Sequence, residues 1–337
     1  MKKLFTILLI LFMANNINTA FAKTKKQAQK PLTLEQKIAL INSKKLDNET
    51  KLYEIAKLKL DNDTYRVYRT AERLIRANKL DEYPWVFEIK YDDEVYSTNA
   101  STTEGNLVSL SFGSIKTYGD DVSELAFILG HEMAHEVQKH IPTQQRKIIA
   151  IQQELNDEMK KHNAHLEKKV EDFTFIQRIL SPGVIYYTQE DLKRDENKIK
   201  ELQEELAQET MTIARQQEYE ADKLGLRYAI KAGFNPNSAQ RAFVFISRVS
   251  GDIKGNPNST HPRVDERIWN VKNELSEMNI QKLKQEGKNN LLSSKPLSFT
   301  DTNRLKNRQV SRRMLVVDSK YSTLQDKNDQ FKVLFGK

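Results

Sequence analysis

The stretch His131-Glu132-Met133-Ala134-His135, set in the apolar run Leu125 to Val137, constrains this chain more than any other. On a helix, positions i and i+4 share a face about one turn apart, so the spacing points both imidazoles the same way. Two nitrogens so placed can grip one zinc ion at ~2.0–2.1 Å each. Glu132 projects beside them, where a carboxylate can take a proton from a water at the metal. Leu125, Leu129, Met133 and Val137 recur every fourth residue and form a ridge on roughly the opposite side. One side of the helix therefore anchors in a core while the other carries chemistry. The competing reading is a pair of satisfied core histidines, and a third ligand decides between the two.

Composition narrows the ligand set. The chain has no cysteine, which removes every Cys zinc site, every Cys nucleophile and any disulfide scaffold. The remaining metal donors are His, of which there are six, with Asp and Glu. At 337 residues with 30% charged and a mean hydropathy of −0.67, the body of the chain reads as soluble with a substantial core.

The N-terminus differs. Lys2 and Lys3 precede the apolar run Leu4 to Met13, and Ala20-Phe21-Ala22 places small residues where a signal peptidase reads them. The expectation is a secretory signal peptide cleaved after Ala22, hence a periplasmic protein. The run is too short for a retained anchor, which takes ~20 apolar residues. The formal charge is +8, and +6 once residues 1–22 leave with their two lysines. That surplus allows at most peripheral contact with anionic membrane surfaces. No basic patch interleaved with aromatics appears, so no nucleic-acid partner is expected.

The pattern implies an α+β fold, mainly helical, with a small antiparallel sheet beside the HExxH helix and an inserted helical hairpin. Residues 23–64 read as a flexible leader and a charged helix. Tyr65 to Leu80 has helical spacing, Trp85 to Tyr91 and Leu107 to Phe112 alternate as strands do, and Asn99-Ala100 with Gly105 reads as turn-rich. The HExxH helix is expected to start near Asp120-Asp121. Over 143–214, apolar residues keep spacings of three and four on both sides of the turn signal Ser181-Pro182-Gly183, with polar interruptions at Asp195 and Glu209. This predicts an antiparallel hairpin inserted in a domain spanning 65–275, its tip, Phe173 to Tyr187, notably apolar. Helices follow over Gln216 to Lys231, Ala239 to Val249 and Val264 to Leu275. The 276–337 segment reads as a basic tail of little periodicity, with Met314 to Val317 a candidate strand.

Two patterns compete for the third ligand. A metzincin site needs Gly at 138 and His at 141, where this chain has Gln138 and Ile141. His140 is one residue off and should point away from the metal, as a surface or supporting histidine. The other pattern takes a Glu from a later helix. Glu218 and Asp222 form an i, i+4 pair on one face, so Glu218 can bind metal while Asp222 accepts a hydrogen bond from a ligand histidine's far nitrogen. Glu220 falls on another face and reads as a solvated charge. Ala221 and Gly225 suggest close helix packing there.

These residues resemble the HtpX/BepA-like gluzincin metallopeptidases, in their soluble exported branch. The resemblance runs from about Tyr65 to Leu275. It includes Asn99-Ala100, HEMAH, Gln217-Glu218-Tyr219-Glu220-Ala221-Asp222-Lys223-Leu224-Gly225, Ala232-Gly233-Phe234, and Ser259-Thr260-His261-Pro262 followed by Arg267. It implies one zinc held by His131, His135 and Glu218, with Glu132 as general base. A His-Pro loop reaches the site in that family, which implies that His261 caps the metal at rest or stabilises the oxyanion, with Arg267 nearby. The strand Leu107, Val108, Ser109, Leu110 is expected to bind substrate by strand addition if it is a sheet edge. The implied partners are protein or peptide substrates and envelope assembly machinery. The long hairpin and the absence of tetratricopeptide repeats after Leu275 depart from the family. Three functions compete: an endopeptidase for envelope quality control, a chaperone with a latent peptidase, and a structural zinc protein. The last has no use for Glu132.

Overall fold

The structure is a computed structural model and describes residues 31–91, 99–118, 122–167, 189–250, 261–306 and 309–318. The expected signal peptide, Asp120-Asp121 and the hairpin tip lie outside the described residues. The chain divides after Leu58 into two compact units. In the first, the charged stretch forms two helices rather than one. α1 (Leu34–Ser43) opens with a capping box between Thr33 and Gln36, and Asp47 caps α2 (Asn48–Lys59) by accepting from Thr50 N at 2.8 Å.

The second unit begins with α3 (Asn62–Asn78), then β1 (Val86–Lys90), β2 (Ala100–Thr103), β3 (Leu107–Ser111), α4 (Phe112–Tyr118), α5 (Val122–Val137) and α6 (His140–Glu167). It continues with α7 (Gln189–Lys231), α8 (Ser238–Ser250), α9 (Val264–Glu277), α10 (Ile280–Ser293), β4 (Phe299–Lys306) and β5 (Gln309–Val317). Among the described residues no helix is long and apolar enough to cross a membrane.

The sheet is mixed and five-stranded, in the order β2-β3-β1-β5-β4, which corrects the expected small antiparallel sheet. β1 and β3 run parallel because β2 lies between them in the chain and pairs on the far side of β3. β5, from beyond Glu277, takes an interior place between β1 and β4. Val86, Phe87 and Ile89 of β1 and Met314, Leu315, Val316 and Val317 of β5 are all buried.

The segment beyond Glu277 is held by specific contacts. Gly287 of α10 lies against the end of α7 so closely that a Cβ there would sit 1.7 Å from Lys231 O. Arg76 of α3 donates from Nη2 to Leu291 O at 2.7 Å and to Ser294 O at 3.1 Å, satisfying carbonyls at the end of α10. Glu72, buried one turn earlier, pairs with Arg76 at 2.9 Å, and Tyr68 OH donates to Leu297 O at 2.7 Å. These contacts deliver the chain to β4.

α6 and α7 are the arms of the hairpin. His140 meets Glu220 at one end and His165 meets Asp195 at the other, so the arms run antiparallel. The polar interruption at Asp195 is thereby a buried partner of His165, 2.5 Å away. α7 does not stop at the base of the hairpin. Its 43 residues merge the expected arm and the expected helix at Gln216 to Lys231 into one rod that runs into the domain.

Candidate metal centre

α5 is apolar on nearly every side, and its residues Leu125 to Ala134 are all buried. The ridge Leu125, Leu129 and Met133 is fully so. Phe127 meets Phe243 of α8 edge-on with ring centroids 5.3 Å apart, and Arg241 Nε donates to Glu124 Oε1 at 2.8 Å. A helix gripped in this way cannot roll, which fixes where His131 and His135 point.

α7 crosses α5 at Gly130 and Gly225. A Cβ on Gly225 would lie 2.6 Å from His131 N and 2.8 Å from His131 Cα, so hydrogen alone permits the approach. Glu218 stands seven residues before Gly225, roughly 10 Å along the axis on the same face. The crossing therefore carries Glu218 and Asp222 against the histidines, as Ala221 and Gly225 suggested.

The donor atoms form a triangle. His131 Nε2 is 3.1 Å from His135 Nε2, and Glu218 offers Oε1 at 3.5 Å from His135 Nε2 and Oε2 at 3.6 Å from His131 Nε2. Donors on a tetrahedral zinc with bonds of ~2.0–2.1 Å stand ~3.3 Å apart, so the set fits that ion. Glu218 Oε2 is buried and makes no hydrogen bond, so beyond its ion pair with Arg267 at 3.2 Å it can still ligate a cation. Among the described residues this is the one cluster of its kind. His131, His135 and Glu218 form the zinc site.

Behind it, Asp222 Oδ1 lies 2.9 Å from His131 Nδ1, which leaves Nε2 free for the metal. Arg267 clasps Asp222 in two hydrogen bonds of 2.8 and 2.6 Å, reaches to 3.2 Å from Glu218 Oε2, and lies over the Phe243 ring. Its guanidinium is thus committed to holding the two acids. Burial works to raise the Asp222 and Glu218 carboxyls, but Arg267 overcomes it and both sit below their ordinary values. Burial pushes His135 down to about 3, so its ring is neutral and able to ligate. For His131 burial acts downward, and the Asp222 hydrogen bond with the Asp222 and Glu218 charges outweighs it. Glu132, also buried, is pushed up to about 7 by loss of water.

His261 Nδ1 is 3.2 Å from Glu218 Oε1, with its side chain largely exposed. His140 neither ligates nor points away: α5 ends at Val137, and the turn at Lys139 (φ 54°) swings His140 back until its Nδ1 is 2.9 Å from His135 Nδ1. Glu220, expected to be solvated, lies 3.3 Å from His140 Nε2 with its side chain 52% exposed.

The expectation for Leu107, Val108, Ser109 and Leu110 is overturned. β3 is paired on both sides, by β2 and β1, and these residues are buried, so no strand can be added to it. The edge is β2, in the stretch read as turn-rich. Its Ala-Ser-Thr-Thr sequence lacks apolar alternation; the β-branched Thr102-Thr103 was the available signal. Ala100, Ser101 and Thr102 line a cleft of about 570 Å³ together with His131, Glu132 and His135. Gly105 N, in the turn after β2, donates to Glu136 Oε1 of α5 at 3.2 Å and ties the edge to the metal helix.

Residues 61–275 match the family model described as peptidase family M48. No curated protein matches the chain.

Proposed function

Since the chain belongs to peptidase family M48 and is a zinc metallopeptidase, a hydrolase of peptide bonds, we propose that it is an endopeptidase for unfolded or misassembled envelope proteins, of the soluble, exported, HtpX/BepA-like branch. The observation that carries this is the position of β2. An end strand of the sheet beside His131, His135 and Glu218, unpaired on its outer side among the described residues, suits a substrate segment in extended form, which folded proteins rarely offer. The composition of residues 1–22 supports export, and the quality-control role rests on that location. Envelope assembly machinery is the partner this reading adds.

A zinc ion held by His131, His135 and Glu218 supplies Lewis acidity for the scissile carbonyl and the attacking water. Glu132, lining the same cleft, accepts the proton of that water and returns it to the leaving amine. Its buried surroundings raise its proton affinity toward neutrality, which suits a group that must both take and give a proton. Asp222 and Arg267 hold His131 and Glu218 in place. β2 aligns the substrate backbone.

The test compares a folded protein with its permanently unfolded form as substrates, following fragments over time. Cleavage confined to the unfolded form is expected; equal rates on both would remove the reading. A second reading, a chaperone whose peptidase is latent, is favoured by His261 standing 3.2 Å from a metal ligand. His261→Ala should raise turnover if that side chain caps the site, and lower it if it stabilises the oxyanion.

A further inference from the structure

We propose that His140 and Glu220 are positioning residues for the zinc, and that through them the base of the inserted hairpin forms part of the metal site. The proposal rests on the metal site alone and holds whatever the substrate is.

His140 is the first residue of α6 and only 4% exposed. Its ring stands across that of His135 at 82°, with the two Nδ1 atoms 2.9 Å apart. Its Nε2 is 3.3 Å from Glu220 Oε2 on α7, and its carbonyl accepts from Gln217 Nε2 at 2.9 Å. Both arms of the hairpin therefore meet the far side of His135 at their base.

The protons can be assigned one by one. An imidazole that gives Nε2 to a metal carries its proton on Nδ1. His135 Nδ1–H then donates, and His140 Nδ1 must accept. His140 consequently carries its own proton on Nε2, which donates to the Glu220 carboxylate. Every nitrogen is satisfied in this arrangement, and reversing any one proton takes Nε2 of His135 away from the metal. The two ligand histidines are thus treated alike. Asp222 stands directly against His131 Nδ1 at 2.9 Å, and Glu220 stands behind His135 through His140. Fixing the tautomer and the ring angle in this way removes freedom that binding would otherwise have to quench.

The competing account is that His140 merely fills space under the hairpin, in which case any side chain of similar volume would serve. Zinc affinity separates the two. His140→Phe, His140→Gln and Glu220→Leu would be measured for zinc dissociation constant by chelator competition. The absorption spectrum of the cobalt-substituted protein would report ligand geometry. His140→Phe is expected to weaken zinc ~10–100-fold and shift the cobalt bands, with His140→Gln, whose amide oxygen can accept from His135, recovering most of the loss. Glu220→Leu is expected to weaken zinc less, and to add nothing in the His140→Phe background. Wild-type affinity and cobalt spectrum in a folded His140→Phe variant would overturn the proposal, as would a full additional loss in the double variant. If His140→Phe does not fold, Glu220→Leu at its half-exposed position decides alone: weaker zinc supports the relay, unchanged zinc refutes it.

Discussion

Replacing Gly225 by alanine tests the helix crossing that builds the metal site. The new Cβ would meet His131 N at 2.6 Å, His131 Cα at 2.8 Å and Gly130 C at 3.0 Å. All three are backbone atoms and cannot swing aside. Carbon contacts become comfortable near ~3.5 Å, so α7 must retreat from α5 by roughly 1 Å. Overpacking of this kind costs ~1–3 kcal/mol, against the ~0.5–1 kcal/mol by which alanine is favoured over glycine inside a helix. The same retreat opens the Glu218–histidine gaps of 3.5 and 3.6 Å toward ~4.5 Å, beyond what donors on one zinc ion span. Zinc should therefore bind at least ~10-fold more weakly, a further ~1.4 kcal/mol lost in the loaded protein. Thermal unfolding with and without zinc, together with chelator competition, reads both effects. A Gly225→Ala protein that binds zinc as tightly as wild type would refute the crossing as the device that positions Glu218.

Two other outcomes follow from the same contacts. Gly287→Ala, which would place a Cβ 1.7 Å from Lys231 O at the far end of α7, should lower the melting temperature of zinc-free and zinc-loaded protein alike, with no selective loss of zinc. Glu132→Gln should stabilise the zinc-free protein in a pH-dependent way. Burial raises Glu132 from 4.5 to about 7 in the folded chain, so the ionised form is the disfavoured one. Its cost is absent below pH ~4.5, grows as pH rises, and is complete above 7, where it reaches ~3 kcal/mol. Urea unfolding at pH 4 and pH 8 should show the variant no more stable than wild type at the first and more stable at the second.

Much of the site was legible because it depends on spacings within helices. His131 and His135 at i, i+4, Glu218 and Asp222 at i, i+4, and the small Ala221 and Gly225 each declare a face without any tertiary information. What escaped were features decided by contacts distant in sequence. That His140 is the supporting partner of His135 could not be read because Lys139, not a glycine, adopts the left-handed turn that redirects the chain. α10 showed little periodicity because its tightest contact is made through Gly287 rather than through a large apolar side chain. β5 offered only the apolar end Met314 to Val317, and nothing in it says that it pairs with β1, more than two hundred residues earlier. Whether β3 is an edge was open in the sequence, because β2, whose one apolar residue is Ala100, carries no strand alternation to announce it.

The central claim is that one zinc ion at His131, His135 and Glu218, working with Glu132, hydrolyses peptide bonds. The most direct measurement strips the protein of metal and returns zinc stepwise while following cleavage of an unfolded protein, for wild type and for Glu132→Gln. Activity rising to a plateau at one zinc per chain in the wild type, and absent from a Glu132→Gln variant that binds the same single zinc, is the expected result. Cleavage that survives metal removal, or that persists in Glu132→Gln, would contradict the account.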